Sequence, residues 1–122
     1  MRPWLIDTHA HLDFSQFDAD REQVIQRASE AEVKIILSIG IDLATSLKNI
    51  ALAETFPSVY AAAGIHPHDV TQIQEGDLDR LHELVHHPRV KAIGEVGLDY
   101  YRNLSPAELQ RRTLRTFLDW SL

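Results

Sequence analysis

Four short apolar runs, residues 4–8, 34–39, 59–63 and 90–96, alternate with stretches of helical period, and this alternation constrains the fold more than any other feature of the chain. A single helix between two strands returns the chain to the end of the sheet where it began, so consecutive strands run parallel. Right-handed crossovers then leave two architectures, a doubly wound sheet or a (β/α)8 barrel.

The helical stretches carry their own boundaries. The first is expected to start after Asp18 or Asp20 as cap, with Gln23 three residues after Asp20, and to bury Val24, Ala28 and Ala31. The second spans about 43–55 with Leu47, Ile50 and Ala51 inward, and Pro57 stops it. The third runs from about 77 to 86 and ends before Pro88. The fourth opens with Ser105, Pro106 at the first helical position and Glu108, a capping box, and presents Leu114, Phe117 and Leu118 as its apolar face.

Chemistry follows the strands. Asp7, His9 and His11 come at the end of the first, His66 and His68 after the third, and Glu95 and Asp99 at the end of the fourth. Such clustering at the C-terminal ends of strands is where barrel enzymes keep their sites, which favours a (β/α)8 TIM-type barrel, here its first four βα units.

His9 and His11 are two residues apart at the end of a strand, so alternation points them the same way, as a shared metal requires. Asp7 lies on the same face and can hold an imidazole by its second nitrogen. Glu95 lies between Gly94 and Gly97 at the end of an otherwise apolar strand, a costly position without a cation to partner it. The two glycines leave the backbone open to close approach. Pro67 sets the backbone between His66 and His68 and can aim one imidazole into the site.

The chain contains no cysteine, so any metal is held by histidine and carboxylate, with Zn, Mn and Mg all open and one or two ions expected. At 122 residues, with 44% hydrophobic and 25% charged, it suits one domain over 1–122 with a real core. The formal net charge of -6 argues against a non-specific nucleic-acid coat, although bound cations can still meet phosphate. No long apolar stretch follows Arg2 and none approaches a membrane span, so no membrane partner is expected and a cytoplasmic location is the default.

Three segments, Leu5-Ile6-Asp7-Thr8-His9-Ala10-His11-Leu12-Asp13, Gly64-Ile65-His66-Pro67-His68 and Gly94-Glu95-Val96-Gly97-Leu98-Asp99-Tyr100-Tyr101, together resemble the TatD family of metal-dependent deoxyribonucleases. The resemblance covers the whole chain and extends to Gln110 and its helix. It implies a barrel of the amidohydrolase type that hydrolyses phosphodiester bonds in DNA through a metal-activated water. By analogy His9 and His11 bind the first metal, Glu95 bridges two metals, Asp7 and Asp99 stand behind the ligands, and His66 contacts the scissile phosphate.

Such a barrel usually needs about 250 residues, so the chain reads as an N-terminal half. The family's later ligands, two histidines and an aspartate, have no counterpart in it, which puts the second metal in question. Exposed half-barrel edges favour self-association. Two other readings remain: another amidohydrolase-superfamily enzyme acting on amides, esters or phosphotriesters, and an inactive metal-binding or assembly fragment. Tyr100, Tyr101 and Arg102 either pack or meet a base and a phosphate, whereas His86, His87, Arg111 and Arg112 read as solvated helix surface.

Overall fold

The computed structural model describes residues 3–122; Met1 and Arg2 lie outside the described residues. Among the described residues, strands β1 (Leu5–Ala10), β2 (Val33–Ile39), β3 (Val59–Ala63) and β4 (Val90–Ile93) alternate with helices α1 (Arg21–Glu30), α2 (Leu43–Thr55), α3 (Asp77–Leu84) and α4 (Ala107–Trp120). Short 3-10 turns occupy Ser15–Phe17 and Val70–Gln72.

All strand pairs are parallel and their spatial order is β1-β2-β3-β4. A doubly wound sheet reverses direction at a switch point, whereas neighbours in chain order are the arrangement of a barrel wall. The four βα units are thus an arc of a (β/α)8 barrel.

β3 lies inside the sheet, and its Val59, Ala61, Ala62 and Ala63 are buried. Small residues there let α2 approach, so Ile50 and Ala53 join the same core with Leu81 and Leu84 of α3, Ile36 and Phe117. β1 is an edge strand with little cover, and Trp4, Leu5 and Ile6 remain exposed.

Helix faces differ from those expected. α2 buries Ser46, Asn49, Ile50 and Ala53, while Leu47 and Ala51 face solvent. The inward stripe is half polar because two side chains in it make hydrogen bonds that a periodicity of apolar residues cannot register. α2 starts at a capping box, Asp42 accepting from the Thr45 amide at 2.7 Å while Thr45 Oγ1 accepts from the Asp42 amide at 3.0 Å. α1 buries Ile25, with Val24 and Ala28 partly covered and Ala31 exposed. Asp20 holds the N-cap position, but its carboxylate takes Arg27 at 3.1 Å instead of a helix amide.

α3 ends at Leu84, and turns carry the chain to Pro88. In α4 the capping box does not form. Ser105 is turned inward to donate to the His68 carbonyl at 2.8 Å, and Glu108 takes Arg111 at 2.6 Å. The buried face of α4 is Gln110, Thr113 and Phe117, with Leu118 on the outside and Leu114 between.

Candidate metal centre

Parallel strands place all their C-terminal ends on one side of the sheet, and the side chains that carry chemistry meet there. His9 Nε2 lies 3.5 Å from Glu95 Oε2, and His11 Nε2 lies 3.8 Å from the same oxygen. The other oxygen, Oε1, lies 3.6 Å from His66 Nε2. Donors about 2 Å from one tetrahedral ion are roughly 3.4 Å apart, so the two imidazoles and the carboxylate have ligand spacing. Among the described residues, His9, His11 and Glu95 are the group whose donor atoms all lie within 4.8 Å of one another.

β2 ends without a chemistry-bearing side chain, yet its backbone assembles the centre. The Ile39 carbonyl lies 2.9 Å from His11 Nδ1, the Gly40 carbonyl accepts from the Glu95 amide at 2.7 Å, and the Ile41 carbonyl accepts from the His66 amide at 2.8 Å. Three consecutive carbonyls therefore hold three site residues. Gly40 is required there, because an added Cβ would lie 2.3 Å from Ser46 Oγ and 2.8 Å from Ser46 Cα.

Those contacts also sort the imidazoles. A carbonyl can only accept, so neutral His11 carries its proton on Nδ1 and turns the Nε2 lone pair toward Glu95. His66 Nδ1 accepts from the His68 amide at 3.0 Å, so neutral His66 carries its proton on Nε2 and presents a donor to the site. His11 has the form of a ligand and His66 that of a hydrogen-bond donor to an anion.

Asp7 does not hold an imidazole. β1 breaks register between Asp7 and Ala10, and Asp7 Oδ1 accepts from the His9 backbone amide at 3.0 Å. The expected role behind a ligand falls to the Ile39 carbonyl. The close approach expected at Gly94 and Gly97 lies instead at Gly64, where an added Cβ would come within 2.9 Å of the Gly94 carbonyl carbon and Val96 Cγ1. A Cβ added to Gly94 would lie 3.9 Å from Ala62 Cβ, and one added to Gly97 would meet nothing within 4 Å. β4 stops at Ile93, so Glu95 stands on the loop beyond the strand.

Asp99 is apart from the centre and pairs with His68 Nε2. Its other oxygen accepts from the Arg102 amide at 2.9 Å. The Arg102 amide first, and His68 with it, hold the Asp99 carboxyl below the ordinary value of 3.8.

A buried polar set behind the site escaped the sequence reading. Ser38 Oγ donates to Asn49 Oδ1 and accepts from the Leu12 amide at 3.0 Å, and Asn49 Nδ2 donates to Asp13 Oδ1 at 3.0 Å and the Thr45 carbonyl at 3.0 Å. Arg21 Nη2 reaches the Phe14 carbonyl at 3.2 Å from the other side. The turn that begins at His11 is thus braced on β2, α1 and α2. Polar residues at Ser46 and Asn49, one helical turn apart among apolar ones, were the available signal.

The chain matches the family described as TatD related DNase over residues 6–122. It is 42% identical over 111 residues to a protein of Bacillus subtilis named "Uncharacterized metal-dependent hydrolase YabD", covering 91% of this chain and 44% of that protein. It is 40% identical over 108 residues to the Escherichia coli protein named "3'-5' ssDNA/RNA exonuclease TatD", covering 88% of this chain and 42% of that protein. Among solved structures, the Escherichia coli TatD homologue YJJV superimposes with a TM-score of 0.88 at 33% identity, over 96% of this chain and 46% of that one. The chain thus spans less than half the length of the relatives it matches. Matching that family over nearly its whole length, the chain belongs to the TatD family of metal-dependent hydrolases.

Proposed function

We propose that this chain supplies the first-metal ligands and a phosphate contact of a nuclease that hydrolyses phosphodiester bonds in DNA. The observation that carries this reading is the sorting of protons around Glu95: a lone pair from His11 toward one carboxylate oxygen, and an N–H from His66 toward the other. A hydrolase for phosphodiesters needs both, a nitrogen ligand for a cation and a donor for the anionic substrate oxygen.

The donor set fits a divalent cation. Two imidazoles and one carboxylate, without thiolate, match Zn2+ or Mn2+ better than Mg2+, which prefers oxygen alone. Such a cation supplies Lewis-acid polarisation of the phosphoryl oxygen and a more acidic water. His9 and His11 hold it, Glu95 adds a negative charge that keeps it in place, and His66 Nε2–H hydrogen-bonds a phosphate oxygen and orients the ester. Asp99 fixes His68 and the loop on which Glu95 stands.

The test is cleavage of a labelled single-stranded DNA by the purified chain with Mn2+, Zn2+ or Mg2+, beside calorimetric titration with Mn2+. Metal binding and cleavage are both expected and both disappear in the His9→Ala, His11→Ala double variant. Saturable Mn2+ binding without cleavage would favour the metal-binding fragment reading. Gel filtration of the same samples reads whether activity accompanies paired copies, which the free edges of β1 and β4 permit.

A further inference from the structure

The loop between Glu95 and α4 carries exposed side chains that the metal centre does not use. Tyr101 is 97% exposed, and Leu98, Tyr100, Arg102 and Leu104 are exposed around it. An exposed tyrosine on an untethered loop would need no account. This loop is tethered. Gln110, only 1% exposed, accepts from the Asp99 amide at 2.7 Å and donates to the Asp99 carbonyl at 3.2 Å and the Ser105 carbonyl at 2.7 Å. Asp99 in turn accepts from the Arg102 amide and pairs with His68, and Ser105 Oγ donates to the His68 carbonyl. Two buried side chains, Gln110 and Ser105, thus fix the backbone on both sides of Tyr101 while the ring itself touches little.

The charge around it has a sign of its own. Within a chain of net charge -6, residues 102–115 hold Arg102, Arg111, Arg112 and Arg115 against Glu108, four positive charges to one negative. Arg111 also reaches the Tyr100 hydroxyl at 3.4 Å, which brings the first turns of α4 next to the loop. A flat aromatic held in solvent, with Arg102 next to it in the chain, Arg111 reaching the neighbouring Tyr100 and the candidate metal centre at its root, matches what an unpaired base and its phosphates require.

We propose that the 98–104 loop is a base-stacking subsite for single-stranded nucleic acid, in which Tyr101 takes the face of an unpaired base and Arg102 a neighbouring phosphate. The inference rests on the nuclease reading and adds to it the residue that grips the strand. A base inside a duplex has both faces covered by its neighbours, so this subsite selects single strands.

The experiment is fluorescence anisotropy of a labelled oligodeoxyadenylate with the full chain in EDTA, where no hydrolysis occurs, against an abasic oligomer of equal length. Wild type is expected to bind the base-bearing strand on the order of 10-fold more tightly than the abasic one. Tyr101→Ala is expected to erase that difference, Tyr101→Trp to keep it, and Arg102→Ala to lower the salt slope by about one without touching the base preference. Strand binding by wild type with an unchanged base preference in Tyr101→Ala overturns the subsite and leaves the nuclease reading standing. No binding of either oligomer by wild type overturns the subsite, and the nuclease reading then stands on its own cleavage test, because EDTA removes the cation that meets phosphate. A change of oligomeric state in Tyr101→Ala, read by gel filtration, overturns the subsite as well, since the ring would then be a contact between copies.

Discussion

The polar residues of this chain fall into two regions that obey opposite rules. Around Glu95 the donors of His9, His11 and His66 lie 3.5 to 3.8 Å away, too far for hydrogen bonds, and His9 is 53% exposed. Behind them Ser38, Asn49, Ser105 and Gln110 are all but completely buried and every one is hydrogen-bonded. No buried side-chain polar atom among the described residues lacks a partner. The front region keeps its capacity for a ligand by leaving its own groups unpaired, and the rear region holds it in position by leaving nothing unpaired.

Asn49→Ala should break the rear region most. It strips a partner from buried Asp13 and from Ser38 at once, and leaving such groups unsatisfied costs about 3 kcal/mol. Urea unfolding should show that loss with an unchanged m-value; a loss below about 1 kcal/mol would mean that water takes over the site of the amide.

Gly40→Ala tests whether the two regions are coupled. The new methyl meets the backbone of Ser46, which cannot move without α2, at an expected cost of about 2 kcal/mol. Because the carbonyls of Ile39, Gly40 and Ile41 hold His11, Glu95 and His66, Mn2+ affinity should fall along with stability. Lost stability with intact affinity, both read on the same sample, would separate the regions.

The contrast also explains what could be read from the sequence. The βαβ alternation, the donors at the strand ends and the pairing of His9 and His11 with Glu95 were visible because each depends on residue type and spacing, which the chain states directly. The braces were not. Asn49 and Gln110 occupy inward helix positions where an apolar pattern expects Leu47, Ala51 or Leu118, and their partners lie 11 to 36 residues away or on the backbone. Asp7 misled for a related reason: strict alternation puts it behind His9, but the register break in β1 turns it onto an amide. Ser105 and Glu108 formed a good capping pattern, and the His68 carbonyl beyond β3 competed successfully for the buried serine.

Removing the front region should affect folding less. The His9→Ala, His11→Ala double variant should lose about 1 kcal/mol of unfolding free energy in EDTA, nearly all of it from His11, whose ring stacks on Phe14 and meets the Ile39 carbonyl, while exposed His9 adds little. In Mn2+ the wild type should gain stability with metal concentration and the variant should not, a linkage that thermal melts across a metal series measure. Equal gains in both proteins would place the ion elsewhere.

The smallest expected effect comes from Asp99, which lies between the two regions: partly exposed, yet tied to His68 and to the Arg102 amide. Its carboxyl is held below 3.8 in the folded chain, so the folded state binds that proton less readily than the unfolded one. The contribution is therefore complete above about pH 5, shrinks as pH falls through the unfolded and then the lower folded value, and is absent in stronger acid. Asp99→Asn removes the charge while keeping the shape. The stability difference between wild type and this variant should be level from pH 7 to about pH 5 and close toward pH 2. Taking the difference between the two proteins isolates Asp99 from the general acid denaturation of the chain. A difference that stays constant down to pH 2 would mean that the His68 contact holds through geometry alone, and Asp99 would then belong with the neutral braces of the rear region.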